Sequence, residues 1–368
     1  MWLVPALRFP EFSGEWKREI LNDVCVFHNG RAYKQNELLS DGKYRVLRVG
    51  NFFTNDSWYY SDLELDDEKV AVNGDLLYAW SASFGPRFWT GEKVIYHYHI
   101  WKIDSFQQVS KEFLFYFLER DTEKIKNEVQ GGTMVHITKG DMEKREILYP
   151  SILEQSKIAR LLSLLDERIA TQNKIIEDLR LLRDAISVYL LSPKSDWKCY
   201  KVSEIADIGR GRVISSKEIA NQNNPRYPVY SSQTSNEGIM GYLDDYAFDG
   251  EYITWTTDGA NAGTVFYRNG RFNCTNVCGT LKLHYQFDAY YCSLVLANAT
   301  KKYVSANLAN PKLMNNTMAA IKLYLPPFQE QKRMAQLFRK MDENITLEHK
   351  LLLSYQRQKH YLLQQIFI

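Results

Sequence analysis

LEQSKIARLLSLLDERI, Leu153 to Ile169, returns with altered letters as FQEQKRMAQLFRKMDENI, Phe328 to Ile345. Glu154 and Gln155 meet Glu330 and Gln331 at an offset of 176 residues, and the same offset carries Ala159 to Ala335, Asp166 to Asp342, Ile169 to Ile345 and Lys174 to Lys350. Upstream, Pro150 falls on Pro326 and Met142 on Met318. Near the start the offset becomes 181, pairing Trp16 with Trp197 and Gly30-Arg31 with Gly211-Arg212. The chain therefore reads as a tandem duplication, and two copies rather than many predict a pseudo-twofold molecule.

Each copy divides at its proline. Before Pro150, runs such as KYRVLRVGNFF and EKVIYHYHIWKI alternate with Gly, Asn, Asp and Ser, the pattern of short strands, with one helix expected at SKEFLFYFLERDTEKIKNEV. YPVYSS, GEYITWTT, GTVFYRNGRF and GTLKLHY continue in that style in the second copy. After each proline comes a stretch without Gly or Pro, 151–192 and 328–368, which as one helix would run about 60 Å. Ile158, Leu162, Leu165 and Ile169 open a seam of alternating four- and three-residue steps, and Met334, Phe338, Met341 and Ile345 repeat it, the spacing of a coiled coil. The fold class expected is α+β: a domain over 1–150, a helix over 151–192, a second domain over 193–327 and a second helix over 328–368.

The composition is that of an ordinary folded protein. The 368 residues are 45% hydrophobic and 24% charged, enough for two cores. No apolar run reaches the roughly 20 residues of a membrane helix and the opening MWLVPALRFPEFSGEWKRE lacks a signal-peptide pattern, so the expected location is cytoplasmic. Five cysteines read as reduced thiols. A net charge of +2 means that any contact with DNA rests on local patches or on partner subunits.

The tools of an enzyme are mostly missing. There is no GxxxxGK[ST] loop. Asn224-Pro225-Arg226-Tyr227 has Arg226 where an adenine-holding Asn-Pro-Pro-aromatic element has its second proline, and it reads as a turn. Asp66-Asp67-Glu68-Lys69 suits a solvated loop better than a metal site. Cys274, Cys278, His284 and Cys292 have an odd spacing for zinc and read as thiols in a sheet. His97 and His99 alternate along VIYHYHIW, as on one face of a strand, and read as partly buried histidines.

What remains are polar, glycine-rich junctions in matching places. Arg31 and the pair Arg210 and Arg212 combine guanidinium groups with close backbone approach at Gly30 and Gly211, suited to phosphate or guanine. Further candidate DNA-binding residues are Ser81, Ser83 and Arg87 in AWSASFGPRFW, Ser231, Gln233 and Asn236 in YSSQTSNEG, and Thr256, Thr257 and Asn261 in WTTDGANAG, side chains of the kind that read base edges. Each loop alone reads as a turn; their recurrence in two domains points to DNA.

LRFPEFSGEW, GGTMVHITKGDMEKREILYPSILEQSKIARLLSLLDERI and LYLPPFQEQKRMAQLFRKMDENI, with the duplicated plan, resemble the specificity subunits of type I restriction-modification systems over nearly the whole chain. Tyr149-Pro150-Ser151-Ile152 departs by lacking a double proline. The resemblance implies two target recognition domains, each reading part of a split double-stranded DNA site, and two helices packed antiparallel as a spacer and as a docking surface for two methyltransferase subunits, with restriction subunits joining the complex. It implies no catalysis and no cofactor in this chain; S-adenosylmethionine, ATP and Mg would serve the partners. The rival readings are a coiled-coil scaffold without DNA specificity and an unrecognised DNA methylase or nuclease.

Given antiparallel helices, the polar flaws in the seams predict a register. Gln172 and Arg183 interrupt the first seam, and Glu348 and Lys359, 176 residues on, interrupt the second. Facing the flaws to each other predicts Arg183 against Glu348 and Gln172 against Lys359, since polar core residues set coiled-coil register.

Overall fold

The computed structural model describes residues 4–53, 55–81, 84–128, 137–305 and 310–367. The chain folds as two compact units, residues 1–174 with 350–368, and residues 175–349. The two long helices, Ile152–Leu190 and Phe328–Ile366, have 39 residues each and are divided between the units. They start directly after the prolines, as the sequence pattern expects, and the first stops before Pro193.

In the first unit, Lys17–Ile20 pairs with Glu146–Tyr149, bringing the chain back to the start of the long helix. An antiparallel sheet has the order Val26–Asn29, Ile100–Asp104, Leu76–Ala79, Gly85–Phe88. A mixed sheet orders Tyr59–Ser61, Tyr44–Leu47, Val94–Tyr96 and Val70–Ala71, its middle two strands parallel. The main core gathers Trp16, Phe27, Tyr78 and Trp101 with Phe113 and Leu114 of the helix Lys111–Glu128, and also takes in Ile158 and Leu162 of the first long helix and Leu363 and Ile366 of the second.

The second unit repeats this plan. Lys198–Lys201 pairs with Lys322–Leu325. The antiparallel sheet runs Ala206–Arg210, Cys278–Leu283, Glu251–Thr256, Val265–Asn269, and a smaller sheet has Tyr227–Tyr230 parallel to Asn273–Cys274. Trp197, Ile253, Trp255 and Tyr291 fill its core with Met334, Ala335 and Phe338 of the second long helix.

The repeated letters do the same work in both units. Gln155 is buried; its carbonyl accepts the Ser110 N–H at the head of the helix Lys111–Glu128, and its amide donates to the Gln108 and Pro150 carbonyls. Gln331 accepts the N–H of Asp288, the cap of the helix Ala289–Thr300, and donates to Pro326. One buried amide thus joins the strand exit, the long helix and the domain's own helix, with both of its ends satisfied. Glu154 and Glu330 diverge. Glu154 is 1% exposed and forms a two-pronged pair with Arg8 at 2.7 and 2.8 Å, whereas Glu330 is 38% exposed and lies 3.8 Å from Lys194.

Asp166 and Asp342 anchor the helix pair. In the first unit Asp166 accepts the Tyr116 hydroxyl at 2.9 Å and pairs with Lys359 at 2.7 Å, while Lys359 also reaches Glu119. In the second unit Asp342 accepts the Tyr290 hydroxyl and pairs with Arg183. Burial, with the neighbouring aspartate, holds both tyrosine pKa values above the usual phenol range. Arg168 over Tyr355 in the first unit and Arg180 with His349 in the second agree with antiparallel packing of the helices within each unit.

These pairs correct the register. Arg183 does not meet Glu348; it meets Asp342, six positions earlier, and Lys359 meets Asp166 and Glu119 rather than Gln172. The seam identifies which face of a helix is buried but not where a long cation ends. Arg183 and Lys359 reach beside the seam to carboxylates that a tyrosine from the globular body already holds.

Candidate nucleic-acid interface

In both units one strand end, one tight turn and one strand exit converge. In the first unit the strand Val26–Asn29 ends at Gly30-Arg31, and Arg31 bridges to His97 beside the turn His97-Tyr98-His99-Ile100, closed by Ile100 N–H to the His97 carbonyl at 2.9 Å. In the second, Ala206–Arg210 ends at Gly211-Arg212, and Arg212 bridges to Thr275 beside the turn Thr275-Asn276-Val277-Cys278, closed in the same way at 2.9 Å. A side chain on either glycine would collide with the turn: a Cβ at Gly30 would lie 2.3 Å from the His97 carbonyl oxygen, and one at Gly211 would lie 2.1 Å from that of Cys274. The run VIYHYHIW is accordingly not one strand: it breaks at this turn.

Strand pairing sets the equivalences. Asn29 corresponds to Arg210, Trp80 to Thr257, Ser81 to Asp258 and Tyr98 to Asn276. In the first unit the Trp80 indole donates to the Tyr98 carbonyl at 2.8 Å, stacks on Trp101 and meets His99 edge-on. In the second, the corresponding carbonyl of Asn276 accepts from Arg210 Nε, and Arg210 Nη2 reaches Thr257 Oγ1 at 2.9 Å and the Asp258 carboxylate at 3.1 Å. One backbone frame thus carries an aromatic surface in one unit and a charged, polar one in the other.

His97 is neutral in that aromatic surface: burial, then His99, then Arg48 push its pKa down to about 4 from 6.5. The unfolded chain therefore takes up this proton first as pH falls, so stability present above about 6.5 is lost progressively toward about 4. Urea unfolding of the first unit is expected to depend less on pH over that window in His97→Gln than in the parent protein; parallel curves for the two would contradict this.

The candidates divide by exposure and partner. Arg31 gives both terminal nitrogens to Glu37, and Arg212 gives both to Glu218. Glu37 also accepts the Lys34 N–H; these arginines therefore tie together their own loops. Ser81, Thr256 and Thr257 are buried, at 6%, 1% and 0% exposure, Thr256 at the end of its strand and the other two just past a strand end, and that burial does not fit the direct base contacts expected of them. Arg87 is exposed, over the Phe53 ring. Ser231, Gln233 and Asn261 are half-buried, with Gln233 donating to the Ile239 carbonyl and Asn261 to that of Ser232. Asn236 is exposed. Ser83 lies outside the described residues.

Sequence reading missed Arg268, which is 5% exposed, with the Tyr230 ring 3.5 Å from its guanidinium carbon and Phe266 on another side. It donates to the Glu237 carbonyl at 2.6 Å and so holds a turn in which Asn236, Glu237 and Gly238 all have positive φ. Burial lowers its pKa. Glu37 and Glu218 were also missed, although each follows its arginine by six residues, a signal present in the letters. The thiols of Cys274, Cys278 and Cys292 are buried, and burial raises their pKa values, that of Cys278 to about 11, against reactivity.

Two tandem recognition-like α+β bodies on paired long helices are the architecture of a DNA specificity subunit, and comparison with known proteins agrees. The family model described as the type I restriction modification DNA specificity domain matches twice, over residues 13–181 and 194–354. A Mycoplasma pneumoniae chain named type I specificity subunit S.MpnORF365P is 37% identical over 213 residues, covering 55% of this chain and 77% of that one. The type I restriction enzyme MpnII specificity subunit of the same organism is 42% identical over 143 residues, 38% of this chain and 42% of its own length. In fold, the type I S subunit from M. genitalium superposes with a TM-score of 0.65 at 18% identity, over 99% of both chains.

The chain belongs to the type I restriction modification DNA specificity family. It is the DNA specificity subunit of a type I restriction-modification system, a non-catalytic component. No described helix is long and apolar enough to cross a membrane.

Proposed function

We propose that each unit reads one part of a bipartite double-stranded DNA target, and that the paired helices set the distance between the readers. The observation that carries this is the converging frame of strand end, turn and strand exit, built twice with the same backbone and different side chains. A split site needs two readers at fixed separation and twist, because one DNA turn is about 34 Å and a misplaced reader leaves its groove. Recognition domains over 1–150 and 193–327, with spacer helices over 151–192 and 328–368, suit that task. Arg87, Arg210 and Asn236 are the accessible candidates for DNA contact, with Gln233, Asn261 and Ser231 beside them; Arg31 and Arg212 would act by shaping their loops.

The partners proposed are two methyltransferase subunits and, with them, restriction subunits, which bring S-adenosylmethionine, ATP and Mg; the complex works in the cytoplasm. Apolar side chains exposed on the long helices, Leu153 at 76% in the first unit and Val188 and Tyr189 at 72% and 76% in the second, would supply the docking surface. The test is to replace residues 194–325 with the matching segment of a relative, co-express the chain with its methyltransferase, and sequence the modified sites. One half of the motif is expected to change while the other half and the spacing stay. A change in both halves would refute the two-reader scheme.

A further inference from the structure

Arg210 differs from the other arginines of the interface in how its donors are used. Arg31 and Arg212 place both terminal nitrogens on a glutamate six residues along the chain. Arg210 is instead held from the sides: Nε on the Asn276 carbonyl, Nη2 on Thr257 and Asp258. Nη1, with two N–H donors, makes no hydrogen bond among the described residues, and the side chain remains 33% exposed. Its support is firm. Thr257 is fully buried, donates to Asp258 at 2.8 Å, and passes its own N–H to Val277, while the Leu313 N–H reaches its carbonyl. Asp258 has a second cation, Lys312, at 3.6 Å.

We infer that Arg210 reads a guanine in the half of the target that belongs to the second unit, with Asp258 as the residue that fixes it. The inference rests on the two-reader scheme and names what one reader recognises. Two lines support a base over a phosphate, and a third favours guanine over adenine. A guanidinium fixed from several sides has little rotamer freedom to lose, which matters where a donor must match an edge and matters little for a diffuse charge contact. The adjacent Asp258 carboxylate, 20% exposed, opposes an incoming phosphate but can accept from a cytosine amino group. Guanine presents two acceptors, O6 and N7, on its major-groove edge, whereas adenine sets a donor beside its one acceptor, so a pair of N–H groups still to be used distinguishes them. The first unit carries Asn29 where Arg210 stands, and the uncharged Trp80 and Tyr98 beside it, so the two halves of the target need not share this guanine.

The test uses the complex of this chain with its methyltransferase, reading the modified motif by sequencing and affinity on duplexes varied one base pair at a time. Arg210→Ala is expected to lose about ten- to hundredfold discrimination at one guanine, in the half that the 194–325 replacement alters, with the other half unchanged. Arg210→Gln, which keeps a donor but suits adenine's edge, is expected to move preference at that position from guanine toward adenine. Asp258→Asn is expected to weaken the guanine preference in part. Retained recognition of the remaining positions in that same half shows that the second unit still folds in the variants. Weakening that is uniform across sequences with a shallower salt dependence would make Arg210 a phosphate contact, and an unchanged motif in both Arg210 variants would remove it from readout; either overturns the inference. A parent complex whose motif is not split, or whose two halves both change on the segment replacement, would fail the two-reader scheme itself, before Arg210 is in question.

Discussion

Arg8→Ala is expected to destabilise the first unit by about 3 kcal/mol, because it leaves the Glu154 carboxylate buried without its partner. The guanidinium also donates to the Ser13 and Gly14 carbonyls, so its loss frees the segment before Lys17–Ile20 as well. The matching change in the second unit, Lys194→Ala, removes a pair that is 47% and 38% exposed and is expected to cost well under about 1 kcal/mol. Urea unfolding followed by hydrogen exchange, resolved by peptide, separates the two units. Replacing both members of the buried pair by methionine should recover part of the loss, since an apolar pair leaves no orphaned charge. Equal effects of Arg8→Ala and Lys194→Ala would show that the burial of Glu154 has no energetic weight.

Gly211→Ala and Gly30→Ala are expected to cost about 2–3 kcal/mol each, in their own units. The added methyl meets carbonyl oxygens of the facing turn at 2.1 and 2.3 Å, and backbone cannot swing aside as a flexible side chain can. The strand end must move away from the turn, breaking the Arg212 N–H to Cys274 bond in one unit and the Arg31 N–H to Tyr96 bond in the other. Recognition should suffer with stability: Gly211→Ala should blur one half of the DNA motif and Gly30→Ala the other. Gly140→Ala is the control. It sits in the helix Lys139–Glu143 with nothing within 4 Å of a new Cβ, and alanine is the better helix former. If Gly140→Ala were as harmful as the other two, the close approach would not be the cause.

The fold was legible because duplication and periodicity are properties of the letters. Glu154-Gln155 and Glu330-Gln331 mark the two helix starts without reference to any contact. The role of Gln155, by contrast, is spread over Ser110, Gln108 and Pro150, and nothing local announces that set. The helix register failed for a related reason: matching polar flaws supplied a pairing rule, but the aspartates that take Arg183 and Lys359 were read only as part of the repeat. At the interface, types of side chain were legible and their exposure was not. Thr257 and Arg210 look alike as candidates in sequence, yet the first is fully buried past its strand end and the second, exposed, is held by it. A strand's alternation assigns faces only where the strand is long, and around His97 it is three residues followed by a turn.

Leu363, Ile366 and Phe367 lie in the core of the first unit, and the Gln365 carbonyl accepts the Leu7 N–H. On a ribosome, residues 175–349 form a contiguous unit that can close as soon as it has emerged, while residues 4–174 must wait for chain made after position 350. The part synthesised first is therefore completed after the second, with its apolar seam at Ile158 and Leu162 uncovered until chain from beyond position 350 reaches it. A released chain that stops at residue 349 should show a protease-resistant second body joined to a protease-sensitive first one.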